Sequence, residues 1–437
     1  MSFPIKEFSA RRQQLIEAMG DGIAVIPTSP EVIRNRDSHY PYRFDSYFYY
    51  LTGFKEPESV LVMIAGKEPR SILFCRDKNL EREIWDGFRF GPDAAKLEFG
   101  FDETYSIDEL DIVLQKLLTN QEQLFYSLGS DCHWDAKVMR WLGELREQAR
   151  TGTHAPDQIM DIRKLIDELR LRKTPYELDL MRSSAKIAAG AHLRAMQKTK
   201  VGIYENEIEA EFLHEFYRKG AQAPAYTSIV AGGANACTLH YNANNCELKN
   251  GNLLLIDAGC ELDGYASDIT RTFPVNGKFS AEQKDIYELV LAAQAAAIEK
   301  VTTQNHWNAA HEAALDVLIQ GFVDLRLCQG TKEEVLETGS YRQFYMHRTG
   351  HWLGLDVHDA GEYKNKAGNW RQLQEGNVLT VEPGCYIRPA DNVPEHFHHI
   401  GVRIEDDVVV TKGACEILTI DAPKTVAEIE AIMTGHK

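Results

Sequence analysis

Apolar residues along this chain gather in short runs separated by turn residues. Residues 23–26, 60–64 and 71–74 are rich in Ile, Val, Leu and Phe, and each run is strand-length. A helical pattern over 11–19 is stopped by Gly20-Asp21-Gly22, and further helical patterns fall around 78–86 and 108–118. This alternation predicts a smaller N-terminal α/β domain with a mixed sheet, residues 1–172.

A sharper boundary follows. Thr174-Pro175-Tyr176-Glu177 combines a capping box with proline at the first helical position, and predicts a helix to about Thr199. Ser280-Ala281-Glu282-Gln283 opens a second helix, to about Val301. Turn signals, Gly232-Gly233 and Asp263-Gly264 among them, follow the helices and hint at a helix-plus-hairpin unit used twice within residues 173–437.

Three apolar runs in this second part end in an acid. Asp257 ends Leu253-Leu254-Leu255-Ile256, Glu382 follows Leu379-Thr380-Val381, and Glu405 closes Val402-Arg403-Ile404. A carboxylate at the end of a buried strand costs several kcal/mol unless its charge is compensated. Asp268 joins them by register. If Asp263-Gly264 makes a two-residue hairpin turn, Leu262 pairs with Tyr265 and Gly259 falls opposite Asp268. Asp257 and Asp268 then share a face as diagonal neighbours, Cα atoms ~7–8 Å apart. Like charges at that spacing repel, and a cation between them turns repulsion into chelation. Hard divalent cations prefer such oxygens and tolerate one imidazole. Arg403, two residues from Glu405, shares its face and is expected to orient that carboxylate.

The imidazole has a source. His347 and His351 flank Arg-Thr-Gly, and His358 follows soon after. The i, i+4 spacing lacks the glutamate of the HExxH zinc helix, and Gly350 and Gly354 point to loop or strand. His396, His398 and His399 read as a surface loop.

Bulk properties narrow the partners. A chain of 437 residues exceeds one ordinary core, and 44% apolar with 26% charged residues describes a globular protein. A net charge of −17 argues against nucleic acid or an anionic membrane as main partner. Eight dispersed cysteines without a CxxC pair suit free thiols, mostly inert and buried. No apolar run approaches the ~18 residues of a membrane span, and the N-terminus lacks a hydrophobic signal core, so a cytoplasmic protein is expected.

The segments LLLIDAGCELDGYASDITRTFPV, HRTGHWLGLDVHD, VLTVEPGCYI and IGVRIEDDVVVT resemble, in order and spacing, the metallopeptidases with a pita-bread fold. That group includes methionine aminopeptidases, prolidases and aminopeptidase P. RNRDSHYPYRFDSYFYYLTGF, the Ile84-Trp85 region and the short path from Glu382 to Glu405 are most similar to aminopeptidase P. The resemblance implies an α+β chain: a curved antiparallel sheet with helices on its outer face, preceded by the α/β domain. It implies two divalent metal ions, usually Mn(II). Asp257 would be terminal on one, His351 and Glu382 on the other, with Asp268 and Glu405 bridging. It further implies release of the N-terminal residue from peptides with proline in the second position, by attack of a dimetal-bridging hydroxide on the Xaa-Pro carbonyl. Glu382 would move the proton, while His358 and His240 would donate to the carbonyl oxygen and the peptide. His347, Tyr386 and Arg403 would line the proline pocket or support ligands, and Trp85 would cap the substrate. Arg163 and Arg371 fit surface salt bridges better than substrate contacts. Homodimers or homotetramers are common in the family. Of the alternatives, a prolidase restricted to dipeptides is disfavoured by length and the short loop. A non-catalytic binding protein of this fold is disfavoured by five intact ligands.

Overall fold

The computed structural model describes residues 4–435, which separate into two compact units divided between Arg170 and Leu171. The first unit is built on a six-stranded mixed sheet. Its order is Glu103–Ser106, Arg70–Cys75, Val60–Ala65, Gly22–Pro27, Gln123–Phe125 and Gln158–Met160. Pairing is antiparallel among the three middle strands Arg70–Cys75, Val60–Ala65 and Gly22–Pro27, and parallel at both flanks. Val60–Ala65 is buried along its whole length, which is why it reads as an unbroken apolar run. Helices Leu110–Leu118 and Cys132–Glu147 bury Leu110, Leu114, Leu118, Val138, Trp141, Leu142 and Leu145 in one cluster with these strands.

In the second unit a helix pair is followed by antiparallel strands, and then the same order recurs. Helices Pro175–Lys198 and Glu205–Arg218 precede Ile229–Gly232, Leu253–Asp257 and Thr270–Pro274, which pair side by side. Helices Ala281–Ile298 and Ala309–Asp324 precede Val378–Val381, paired with Asp406–Val409, and Gly384–Ile387, paired with Ile400–Arg403. Both capping boxes form: the Thr174 and Ser280 hydroxyls accept from the Glu177 and Gln283 amides. The helices cover one face of the strands, where Ala188, Phe212, Ile286 and Leu318 share a core with Leu254, Ile256, Phe273, Val381 and Val402. This is the pita-bread arrangement.

Strand alternation decides what the other face carries. Leu254 and Ile256 point under the helices, while Leu255 belongs to a separate cluster with Ile229, Ala231 and Tyr386. Asp257 has the parity of Leu255 and so faces away from the helices. The hairpin forms in the expected register: Leu262 pairs with Tyr265 and Asp257 with Thr270, which places Gly259 opposite Asp268. Asp263 and Gly264 both have positive φ, 48° and 85°, as a type I′ turn requires. Only glycine fits at 259, where a Cβ would lie 1.7 Å from the Ser267 carbonyl oxygen.

Among the described residues no helix is long and apolar enough to cross a membrane. All eight cysteines are free; Cys132 and Cys246 are exposed rather than buried. Arg163 forms an ion pair with Asp161 at 2.6 Å.

Among the titratable groups of the core, one histidine bears on stability against acid. His192, on Pro175–Lys198, is fully buried, and its Nε2–H donates to the Ala258 carbonyl at 3.0 Å. Burial, reinforced by the Arg271 charge, pulls its pKa down to about 3, so the folded protein keeps it neutral. The unfolded chain takes up a proton below its ordinary value of 6.5. Its contribution to stability is therefore complete above pH 6.5 and lost as pH falls toward 3. Denaturant titrations at pH 7 and 5 are expected to show a loss on the order of 1 kcal/mol per pH unit from this group. His192→Gln should flatten that slope; an unchanged slope would contradict the assignment.

Candidate metal centre and active site

Each acid is positioned by backbone that leaves it little freedom. Asp257 ends its strand and Glu382 immediately follows Val378–Val381, its amide donating to the Thr349 carbonyl at 2.8 Å. Glu405 sits in the corner between Ile400–Arg403 and Asp406–Val409, its amide donating to the Thr270 carbonyl at 3.1 Å. His351 lies on extended chain beside the Glu382 strand: the Thr380 amide donates to the His351 carbonyl at 2.9 Å. Gly350 permits that approach, since a Cβ there would meet the Thr380 carbonyl oxygen at 2.0 Å.

These side chains converge. One ligand atom each from Asp268, His351 and Glu405 lies within 4.8 Å of the others. His351 Nε2 is 3.4 Å from Asp268 Oδ2 and 3.9 Å from Glu382 Oε1. Its Nδ1 donates to the Trp352 carbonyl at 2.8 Å, which leaves the Nε2 lone pair of the neutral ring aimed at carboxylates. That contact is repulsive unless a proton or a metal ion sits between. Tyr226 poses the same problem. Its hydroxyl lies 2.6 Å from Asp257 Oδ1 and also against Asp268 Oδ1, yet it has one proton to donate.

The electrostatics agree. Burial pushes the Glu405 carboxyl well above its ordinary value, and the charges of Asp268, Glu382 and Asp257 push it further. Burial raises Glu382 to about 7 against the opposing pull of His351 and Arg403. Burial also raises Asp257, opposed by Arg403. His351 is drawn down by burial, but the hydrogen bond and charge of Asp268 outweigh this and lift it to about 9. Asp268 alone is lowered: burial, which would raise it, is outweighed by the hydrogen bond and charge of His351. Four acids, two buried and two half-buried, thus face a deficit of positive charge. Four oxygen-bearing acids, one imidazole with its inner nitrogen bare, and that deficit fit a pair of divalent cations.

The supporting shell differs from the expectation in one respect. Arg403 donates to Asp257 Oδ2 at 2.6 Å rather than to Glu405; it reaches Glu405 only through Thr270, whose hydroxyl donates to Glu405 Oε2 at 2.7 Å. Same-face parity overlooked the neighbouring strand, which brings Asp257 closer. His347 Nδ1 donates to the Arg348 carbonyl, so its Nε2 accepts from the Tyr386 hydroxyl at 2.8 Å. Tyr386 in turn accepts from Arg403 at 2.9 Å. Burial and the Arg403 charge hold His347 neutral, at about 3.

A cavity of about 550 Å³ opens onto these groups, lined by His240, His347, His351, His358, Arg403 and the four acids. The His358 ring stands edge-on to His351, centroids 4.3 Å apart. Trp307, Tyr363, Trp370 and Arg348 complete the wall, and sequence patterns pointed to none of them. Tyr226 and Asp407 also escaped notice. The Asp407 Oδ2 accepts from the Asp268 amide at 3.1 Å, fixing the chain beneath that ligand. Tyr226 lies on a loop and Asp407 on the strand Asp406–Val409, and only the fold brings them to the acids. Trp85 sits in the first unit on Leu80–Asp86, a helix without buried residues, and is 83% exposed. Arg371 contributes main chain, its amide donating to Tyr363 and its carbonyl accepting from Trp307.

Fold and site together define a metallopeptidase. Residues 179–412 match the model of metallopeptidase family M24, and residues 8–126 that of the aminopeptidase P N-terminal domain. The Xaa-Pro aminopeptidase of Escherichia coli K12 is 43% identical over 99% of this chain and 98% of its own length. That of Haemophilus influenzae is 44% identical over 98% and 97%. The solved aminopeptidase PepP of Pseudomonas aeruginosa superposes with a TM-score of 0.97 at 48% identity, covering 100% of this chain and 99% of that one. Zinc-substituted E. coli aminopeptidase P, in complex with product, gives 0.97 at 42% identity over the full length of both. The chain belongs to metallopeptidase family M24, in its aminopeptidase P branch.

Tyr226→Phe removes the hydroxyl between Asp257 and Asp268 while keeping the ring. It is expected to weaken metal retention about 10- to 100-fold with unchanged circular dichroism. Metal content after dialysis checks this; wild-type retention would show the phenol to be idle.

Proposed function

We propose that Asp257, Asp268, His351, Glu382 and Glu405 hold two divalent cations, and that the protein uses them as an Xaa-Pro aminopeptidase. It releases the N-terminal residue from peptides with proline in the second position. The observation that carries this reading is the convergence of Asp268, His351 and Glu405 on one point of the cavity, with the His351 Nε2 bare toward the acids. Manganese suits a site rich in oxygen with a single imidazole. A cytoplasmic homodimer or homotetramer acting on peptides, not on nucleic acid or membranes, completes the assignment. Residues 1–172 form the aminopeptidase P type N-terminal domain and 173–437 the catalytic one.

Bound cations lower the pKa of water and polarise a scissile carbonyl. The chain's own groups do the rest. Glu382 accepts the proton of the attacking water and returns it to the departing proline nitrogen, which has no hydrogen of its own in the peptide. His358 and His240 donate N–H groups toward the carbonyl oxygen and peptide as charge develops. Arg403 and Thr270 fix Asp257 and Glu405, and the neutral His347, held from behind by the buried Tyr386 hydroxyl, presents an uncharged flank to the proline ring.

Asp268→Ala should abolish metal retention and lower kcat/KM at least about 100-fold; elemental analysis alongside a turnover assay checks both, and retained activity would contradict the role. With Mn²⁺ supplied, Xaa-Pro dipeptides and longer Xaa-Pro peptides should both be assayed. Cleavage of the longer peptides is expected, and cleavage of dipeptides alone would make the protein a prolidase.

A further inference from the structure

Beside the acids, the same cavity carries a wall of different chemistry that the hydrolytic step does not use. Residues 363–371 form a small hairpin: Lys364 pairs with Trp370, and the Arg371 and Asn365 amides donate to the Tyr363 and Asn369 carbonyls at 3.0 and 2.8 Å. The Asn365 side chain accepts from the Ala367 and Asn369 amides at 3.0 and 3.1 Å, which stiffens the tip. The hairpin presents Trp370 to the cavity, where Tyr363 lies 4.6 Å from Trp307, ring to ring.

Two cations attend the Trp370 indole. Arg348 Cζ lies 5.1 Å and Lys364 Nζ 4.3 Å from the ring. Arg348 also donates to the Asn308 amide oxygen, which with the stacked ring holds the guanidinium in place. Neither the indole nor the amide neutralises a charge. Among the described residues no carboxylate forms an ion pair with Arg348 or Lys364, although the chain has an excess of acids. A preorganised guanidinium on a cavity wall, with donors left over, is built for a planar anion.

A peptide supplies one. With the Xaa-Pro bond held at the five ligand side chains only one residue precedes it, so the peptide's terminal carboxylate lies farther along the chain, past the proline. We infer that Arg348, steadied by Trp370 and Asn308 and assisted by Lys364, binds a carboxylate carried by the peptide on the C-terminal side of the proline. This rests on the Xaa-Pro reading above and adds a selection to it: short peptides ending in a free carboxylate, or peptides acidic after proline, are preferred to neutral ones.

The test compares Ala-Pro-Ala, Ala-Pro-Ala-amide and Ala-Pro-Asp-amide with the Mn²⁺-loaded protein. At least one carboxylate-bearing peptide should exceed the neutral amide roughly tenfold in kcat/KM, through KM, and which one does so identifies the source of the carboxylate. Arg348→Gln should remove the preference, Arg348→Lys should keep part of it, and 0.5 M salt, on the order of the screening needed, should narrow it. Equal kcat/KM for all three peptides, or a preference that survives Arg348→Gln combined with Lys364→Gln, would overturn the inference. Failure to cleave any of the three would overturn the Xaa-Pro reading and the inference together.

Discussion

Negative charge held inside a protein without its counterion is the constraint on which the second unit is organised. Asp257, Asp268, Glu382 and Glu405 come from different strands, yet all project from the face that the helices leave uncovered. Placed there, they meet water only through the mouth of the cavity, and the guanidinium set directly against them is Arg403. The apolar cluster under the helices provides the rigidity that keeps four like charges together. What resolves the conflict must come from outside the polypeptide, so the destabilising acids and the affinity for metal are the same fact.

Much of this was legible in the sequence because it rests on parity and on turn chemistry. Asp263-Gly264 sets a register, and from that register the shared face of Asp257 and Asp268 follows by counting. The capping residues Thr174 and Ser280 marked true helix starts for the same reason: their chemistry is local. The helix Glu205–Arg218 starts at Tyr204, which is no capping residue, and emerged only in three dimensions.

Contacts between distant segments were the illegible part. Arg403 was expected beside Glu405 because the two are close in sequence, but a neighbouring strand puts Asp257 nearer. Trp307, Tyr363 and Trp370 reach the cavity from loops, and Tyr226 and Asp407 reach Asp257 and Asp268 through contacts that no sequence period marks. Family resemblance alone suggested roles for His240, His347 and His358; all three line the cavity, and His347 is in addition held by its bond to Tyr386.

The crowding at Gly259 has a consequence for how such a chain can change over generations. The stretch from Asp257 to Asp268 looks like an ordinary turn region, the kind of place where lineages gain and lose residues freely. Here a single inserted or deleted residue would turn one of the two acids toward the helices and leave the other alone. The segment is therefore constrained in length, whereas the 363–371 hairpin, which holds none of the five, carries no such constraint. A change of length in that hairpin would reshape the cavity wall while leaving the four acids and the histidine where they are.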